Sequence, residues 1–246
     1  KNVDQLEDGS TVALVREMAK DPLIFEPGTH YKYSLCHDVL GAVIEIVSGM
    51  RFSDYLSEII FKPLGIKDMG FSPTEEQKSR VSTQYVYRNG VGKSVPLDNN
   101  MRGNLSELYE SGGGGLFATV DEYMKLITVI ACGGTTKDGY TLLRPETIEL
   151  MKHNRLCDDA LDDYVVHRLF GYGWGLCGRV HIDPIRSGSR TPVGEFGWDG
   201  MAGAFVLMDT ENRIALYYGQ HVIHCGIGAY SAHHTIKNMV YEALGL

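Results

Sequence analysis

The order in which helical and strand patterns follow one another most constrains the fold of this chain. Between residues 11 and 60, apolar residues recur at the spacing of amphipathic helices. Between residues 171 and 222, the chain carries runs of residues that favour β-strands, and a last amphipathic helix is predicted at Ala229–Leu244. Because the helices and strands do not alternate, the sequence predicts an α+β fold rather than an alternating α/β fold.

The predicted helices carry recognisable signals at their ends. Ser10 and Ser34 stand where the N-caps of the first two helices are expected, and Thr119 with Glu122 has the spacing of a capping box. Besides the last one, the predicted helices are Thr11–Lys20, Leu35–Ser48, Phe52–Ile60, Val120–Ala131 and the stretch RPETIELMKHN.

The predicted sheet is small. Its strands come from three stretches, GYGWGLCGRVHI, GEFGWDGMAGAFVLMD and NRIALYYGQHV, with a turn at residues 209–212. One strand followed by an antiparallel hairpin leaves open edges, which makes a marginal sheet. We therefore divide the chain into a mainly helical region, 1–170, and a region of antiparallel strands with the C-terminal helix, 171–246, and expect the sheet to lack some of its strands.

The composition excludes several classes of partner. The formal net charge of −8 argues against nucleic acid and anionic membranes, since both select basic surfaces. No apolar run approaches the length of a membrane span, and the start KNVDQLEDGS has no signal-peptide pattern. The five cysteines are widely spread, odd in number and without a CxxC pair, which favours a reducing compartment such as the cytoplasm.

We expect neither a metal nor a cofactor. His221 and His224 form an HxxH pattern followed by His233 and His234, but no further ligand stands at a convincing spacing, so zinc is the weakest of the functional hypotheses. The four glycines at 112–115 do not match a phosphate-binding loop, and a flexible turn before a capped helix explains them better.

Several segments, in order and spacing, resemble one hydrolase family. They are EPGTHYKYSLCHDVLGAVIEIVSG with the following FKPLGIKDMGF, then SGGGGLFATVDEYMKLI, LLRPETIELM, GYGWGL and EFGWDGMAGAFVLMD. Together they resemble the serine β-lactamases and penicillin-binding-protein-like hydrolases, in the class C and esterase branch. The resemblance implies a β-lactamase/transpeptidase-like fold, a helical region beside an antiparallel sheet flanked by helices.

The family's chemistry is acyl transfer, and the resemblance assigns part of it to Tyr33. In the family, a serine of a Ser-x-x-Lys motif attacks a carbonyl, while the lysine and a tyrosine move the proton. By resemblance Tyr33 is that tyrosine. A phenol ordinarily titrates near pH ~10, so a role as base requires a cationic neighbour that favours the phenolate. The alternative is that Tyr33 only packs between the turn and the helix.

The two residues after Tyr33 are interpreted differently from it. Ser34 lacks both a nucleophile elbow and a lysine three residues later, so we interpret it as a helix cap rather than a nucleophile. Leu35 occupies a substrate-binding position where the family often has asparagine, and leucine can neither donate nor accept a hydrogen bond. This change disfavours efficient β-lactam hydrolysis and fits esterase-like members better.

A second site segment is Trp198-Asp199-Gly200, followed by Met201. By resemblance these three residues border the substrate on an edge strand, and the Met201 N–H donates to the oxyanion. Trp198 stands where many members have a cationic residue, which weakens recognition of a carboxylate. The alternative is a bulged strand with a buried tryptophan.

No Ser-x-x-Lys motif is present in the sequence. The nearest pattern, Ser48 to Arg51, ends in arginine, which stays protonated and cannot act as a base. We therefore expect the N-terminal part of the domain, with the nucleophile, to be a missing segment or a second polypeptide. The leading hypothesis is a serine hydrolase of small-molecule esters, amides or β-lactams that is inactive as this chain alone. The alternative is a non-catalytic binding or regulatory module that keeps the cleft.

Overall fold

A computed structural model of the chain describes residues 9–88, 93–96, 108–164 and 169–246. Its helices are α1 (Thr11–Met18), α2 (Cys36–Ser48), α3 (Phe52–Leu56), α4 (Glu75–Ser79), α5 (Val120–Ala131), α6 (Pro145–Met151), α7 (Asp158–Tyr164), α8 (Pro184–Ser187) and α9 (Gly226–Ala243), and a π-helical turn, Ser57–Phe61, continues α3. Within the described residues, no helix is long and apolar enough to cross a membrane.

The strands form three sheets. They are β1 (Met69–Gly70), β2 (Tyr85–Arg88), β3 (Lys93–Pro96), β4 (Phe117–Ala118), β5 (Tyr172–Trp174), β6 (Arg179–His181), β7 (Phe196–Asp199), β8 (Phe205–Asp209), β9 (Ile214–Tyr218) and β10 (Val222–Ile223). Strands β5 to β9 form an antiparallel sheet in chain order. Strand β1 pairs with β4, and β2 pairs with β3 and, in parallel, with β10.

The chain divides into two compact units whose segments interleave. Unit 1 comprises residues 1–24, 33–81 and 99–125, and unit 2 comprises residues 25–32, 82–98 and 126–246. The predicted boundary at residue 170 stays a prediction.

In unit 1, helices α1 and α3 pack on α2. The Ser10 side chain accepts a hydrogen bond from the Ala13 N–H, which confirms the predicted cap of α1. Glu110 is buried and ties the helices together, because its carboxylate accepts from Arg51 and from the Ser53 N–H at 2.7 Å. Its backbone N–H also donates to Thr11 in α1, at 2.9 Å.

The predicted cap at Ser34 is wrong. Helix α2 begins one residue later than predicted, so Leu35 takes the N-cap position and no side chain caps the helix. The Leu35 carbonyl instead accepts the first helical hydrogen bonds, from Asp38 and Val39. Only half of the predicted box at α5 forms: the Glu122 N–H donates to the Thr119 hydroxyl, while the Glu122 carboxylate accepts from the Lys67 N–H.

One face of α2 carries an exposed apolar stripe. Leu40, Val43 and Val47 lie at helical spacing and are exposed, with Val47 81% exposed. The opposite face packs inside unit 1 through Gly41 and Ala42. A helix with apolar residues on both faces is typical of a buried position, because such a stripe is costly to leave in water.

The glycine run at 112–115 packs against the start of α2. A Cβ atom at Gly112 would lie 2.2 Å from the His37 carbonyl oxygen, which no neighbour could relieve without moving backbone. A Cβ atom at Gly114 would meet nothing within 4 Å. The run is therefore a close backbone contact at Gly112 rather than only a flexible turn.

We expect Gly112→Ala to lower the free energy of unfolding by about 1–3 kcal/mol, because the added methyl forces the run away from α2. The matched control is Gly114→Ala, which should stay within about 0.5 kcal/mol of the parent. Chemical unfolding followed by far-ultraviolet circular dichroism measures both. Equal stability of the two variants would show that the run does not contact α2 as described.

Unit 2 contains five strands in its main sheet where three were predicted. Each of the first two predicted stretches bends back on itself, at residues 175–178 and 200–204, and so forms two antiparallel strands. The glycines at these turns allow the reversal, and the pattern of apolar residues alone did not reveal it. The last stretch continues the sheet as β9, as predicted.

Helix α9 covers part of this sheet. Phe205, Leu207 and Tyr241 form its buried centre, with Ile214 and Ile236 among the residues packed around it. Earlier in the helix, Lys237 and His233 are also buried, four and eight residues before Tyr241 respectively. This helix face therefore presents polar groups as well as apolar ones to the sheet.

Candidate active site

The residues predicted for the site fall in both units. Tyr33 and Leu35 belong to unit 1, and Trp198, Asp199, Gly200 and Met201 belong to unit 2. Within each unit the structure brings its own members together, on the segment before α2 and at the end of β7 respectively.

Tyr33 and Leu35 lie at the surface of unit 1. Their exposed fractions are 56% and 47%. Helix α2, which follows them, is held on its buried side by Asp38. This residue is fully buried and accepts a hydrogen bond from the Tyr109 hydroxyl at 2.6 Å. Burial, together with this hydrogen bond, raises the pKa of Tyr109 to about 12. The Tyr109 hydroxyl therefore stays protonated at neutral pH and holds the start of α2 in place.

The residues just before Tyr33 are anchored within unit 2. One carboxylate oxygen of Asp163, in α7, accepts from the Tyr31 N–H at 3.0 Å and lies 2.9 Å from the His30 Nδ1. The Tyr31 N–H and the His30 side chain lower the pKa of Asp163 below its ordinary value. Sequence reasoning missed Asp163, because it lies 132 residues after Tyr31 in the sequence and only the tertiary structure brings the two together.

Trp198 belongs to an aromatic cluster of unit 2. Its ring centre lies 4.6 Å from that of Trp174, in an edge-to-face arrangement. The Trp174 ring contacts Tyr31 at 5.7 Å, and Tyr31 in turn contacts the buried Tyr164 at 5.1 Å. All of these rings except that of Tyr164 are partly exposed, so they offer an apolar surface beside β7.

The Asp199 carboxylate is turned towards the interior of unit 2. Its Oδ1 accepts from the Arg179 Nη1 at 2.9 Å. Arg179 is fully buried, and its Nη2 donates to Glu195 at 3.1 Å and to the Val206 carbonyl at 3.2 Å. Burial opposes the charge of the guanidinium, but the carboxylates of Asp199 and Glu195 outweigh it and hold the pKa of Arg179 above its ordinary value.

The turn after Asp199 displays Met201. Two hydrogen bonds close this turn. The Gly200 N–H donates to the Ala204 carbonyl at 2.6 Å, and the Gly203 N–H donates to the Gly200 carbonyl at 2.9 Å. Gly203 has a φ of +96°, a conformation that other residues adopt only with strain. Met201 is 68% exposed, and its N–H donates to no group among the described residues.

Two of the four histidines considered for zinc, His233 and His234, contact backbone carbonyl groups. The His233 Nε2 lies 2.6 Å from the Gly203 carbonyl oxygen, and the His234 Nε2 lies 3.1 Å from the Ser187 carbonyl oxygen. Burial lowers the pKa of His233, although its hydrogen bond to Gly203 opposes this. In the described part of the chain, no group of three or more His, Cys, Asp or Glu side chains could hold a metal ion.

One serine–histidine pair was not predicted. The Ser187 Oγ lies 2.7 Å from the Nε2 of His181, which is fully buried. The other ring nitrogen, Nδ1, lies 3.1 Å from the Pro192 carbonyl oxygen. Such a pair can activate a serine, but it also satisfies the hydrogen-bonding groups of a buried imidazole.

The comparison with protein families decides the identity of the chain. The family model described as Beta-lactamase matches residues 2–219. The chain belongs to the beta-lactamase family.

Two of the curated relatives that are similar to this chain are esterases. The chain is 28% identical over 210 residues to the esterase EstB of Burkholderia gladioli, covering 77% of this chain and 49% of EstB. It is 29% identical over 217 residues to the lovastatin esterase of Penicillium rubens, covering 87% of this chain and 49% of that enzyme. The chain thus spans about half the length of the curated relatives it matches.

Solved structures of the beta-lactamase fold also match the chain. EstCE1, described as a hydrolase with promiscuous acyltransferase activity, superposes with a TM-score of 0.80 at 23% identity, over 94% of this chain and 61% of EstCE1. Simvastatin synthase from Aspergillus terreus, as a mutant, gives a TM-score of 0.78 at 20% identity, over 98% of this chain and 62% of the synthase. These likenesses confirm the predicted α+β, β-lactamase/transpeptidase-like fold.

Proposed function

We propose that this chain supplies part of a serine acyl-transfer site that hydrolyses ester or amide substrates through an acyl-enzyme. The observation that carries the proposal is the N–H of the exposed residue Met201, which donates to no group in the described part of the chain and stands in a turn closed by other hydrogen bonds. A fixed backbone donor of this kind is what a developing oxyanion requires. The esterases among the chain's relatives support the same chemistry.

The proposed reaction needs a nucleophile from polypeptide outside these residues. The sequence contains no Ser-x-x-Lys motif, and the chain matches about half of its relatives' length. The exposed apolar stripe of α2 supports this proposal, because packing by a further segment of the same domain would remove it from water. We therefore assign the serine and its lysine to such a segment, covalently joined or separate.

Tyr33 is proposed to move the proton in both steps. As the serine Oγ bonds to the substrate carbonyl carbon, its proton passes to the phenolate oxygen of Tyr33. When the bond from that carbon to the leaving oxygen or nitrogen breaks, the leaving alcohol or amine takes this proton. In the second step water attacks the acyl-enzyme, gives its proton to the same oxygen, and the serine recovers a proton from it. The Met201 N–H stabilises the oxyanion in both steps.

We further propose that the substrate's acyl group is apolar and uncharged. Trp198 and the neighbouring aromatic rings offer an apolar surface, and Leu35 offers no hydrogen bond. The guanidinium of Arg179 is fully buried between two carboxylates, so it cannot bind a substrate carboxylate. Penicillins and peptide C-termini, which carry a carboxylate, are therefore poorer candidates than simple esters.

The alternative is a binding or regulatory module without catalysis. The absence of Ser-x-x-Lys, the leucine at position 35 and the tryptophan at position 198 are compatible with it. Such a module would bind the same apolar esters without turning them over.

Labelling with a fluorophosphonate probe distinguishes these proposals. We expect intact mass spectrometry to show no adduct on the 246-residue chain, and one adduct on a longer polypeptide or co-purifying chain that carries Ser-x-x-Lys. An adduct on this chain that disappears in Ser187→Ala would assign the nucleophile to the Ser187–His181 pair and contradict the proposal. No adduct on the longer polypeptide would favour the non-catalytic module.

A further inference from the structure

The turn that carries Met201 is held by a buried polar network whose members come from β6, β7 and α9. Arg179 in β6 binds the Asp199 carboxylate, and Asp199 is the last residue of β7 before the turn. His233 in α9 contacts the other end of the turn through the Gly203 carbonyl, at 2.6 Å. Both ends of the turn are therefore fixed by side chains rather than by strand pairing alone.

The contact of Arg179 with Asp199 and the contact of His233 with Gly203 belong to one network. The His233 Nδ1 lies 3.8 Å from the same Asp199 oxygen that accepts from Arg179. Arg179 also donates to the Val206 carbonyl in β8, the strand into which the turn leads. A displacement of any member would therefore alter the backbone on at least one side of the turn.

We infer that Arg179, Asp199 and His233 are positioning residues that fix the turn at residues 200–203 and thereby the direction of the Met201 N–H. The inference rests on the proposed function, because only an oxyanion donor needs a fixed direction. Exposed turns linked only through their own backbone adopt several conformations, whereas both ends of this one are attached to buried groups.

The network also explains why a strand beside the substrate carries an aspartate. A carboxylate facing an oxyanion would raise the energy of the transition state by like-charge repulsion. Here the Asp199 carboxylate is turned towards the interior and paired with Arg179, which it shares with Glu195. Asp199 thus borders the substrate through its backbone while its side chain sets the geometry.

Amide hydrogen exchange tests this inference on the 246-residue chain without requiring turnover. In Asp199→Asn and in His233→Phe, we expect the Gly200 and Gly203 amides, which are hydrogen-bonded within the turn, to exchange about tenfold faster. His233→Gln keeps a side-chain N–H donor and should return the exchange rates to within about twofold of the parent.

The matched control is Tyr241→Phe. It removes a buried hydrogen bond from the same face of α9, to Asp209 at 2.6 Å, without touching the turn. We expect this variant to lose stability but to leave the turn amides protected relative to the rest of β8. Equal acceleration in Tyr241→Phe, or none in Asp199→Asn and His233→Phe, would overturn the inference.

Kinetics of a catalytically complete polypeptide separate this inference from the proposed function. If both hold, Asp199→Asn lowers kcat with little change in KM, since the oxyanion forms only in the transition state. Faster exchange of the turn with unchanged kcat would confirm the positioning network and contradict the role of Met201 in the reaction.

Discussion

Replacing Arg179 with methionine is expected to lower the free energy of unfolding by about 3–5 kcal/mol, the cost of breaking a buried ion pair on one side. The substitution leaves the carboxylates of Glu195 and Asp199 in the interior without a cation, together with the Val206 carbonyl. For a protein whose total stability is about 5–15 kcal/mol, this loss is large. Urea unfolding followed by tryptophan fluorescence measures it, because both tryptophans lie in unit 2.

The control for this variant is Arg186→Met. Arg186 is an exposed arginine of the same unit, and its loss should change stability by no more than about 0.5 kcal/mol. Adding Glu195→Gln to Arg179→Met should recover part of the loss, with a coupling of about 0.5–3 kcal/mol, since it removes one of the two uncompensated charges. If both arginine variants proved equally stable, the buried network would not contribute as the contacts indicate.

In a polypeptide that also supplies Ser-x-x-Lys, Tyr33→Phe is expected to lower kcat about 10²–10⁴-fold, the usual contribution of general acid–base catalysis. The ring is kept and only the proton-carrying oxygen is lost. Because Tyr33 is 56% exposed, the fold should tolerate the change, and the melting temperature should stay near that of the parent. Initial rates with a neutral aryl ester measure kcat and KM separately.

Tyr85→Phe is the matched control for Tyr33→Phe. Tyr85 is a partly exposed tyrosine on β2, and loss of its hydroxyl should leave kcat unchanged. A Tyr33→Phe variant with kcat within tenfold of the parent would reduce Tyr33 to a packing residue, which was the alternative considered from the sequence.

The sequence predicted most helices because their signals are local. The cap at Ser10, the end of α2 at Gly49 and the proline at the start of α6 are each set by residues within one turn of the helix. The predicted cap at Ser34 was wrong because capping depends on the exact first residue of a helix. Helix α2 begins one residue later than predicted, which places Leu35 at the N-cap position. The order of the motifs likewise predicted the family, which the comparison confirmed.

The sheet was predicted only in part. Strand-forming residues were recognised in each stretch, but whether a stretch runs straight or folds back depends on which other strand its backbone pairs with. The parallel pairing of β10 with β2 joins segments more than 130 residues apart in the numbering, and no local pattern encodes it. Short strands such as β1 and β4 exist only because they pair with each other.

By itself, the sequence determined the α+β class, the family, the segments that carry Tyr33 and Met201, and the absence of Ser-x-x-Lys. Only the tertiary structure decided that the Asp199 charge is turned inward to Arg179, that His233 contacts the Gly203 carbonyl in the Met201 turn, and that Asp163 anchors the residues before Tyr33. The physical reason is the distance along the sequence over which each interaction acts. Periodicity and capping act over a few residues, whereas the partner of a buried charge is chosen by whichever strand or helix the fold brings against it.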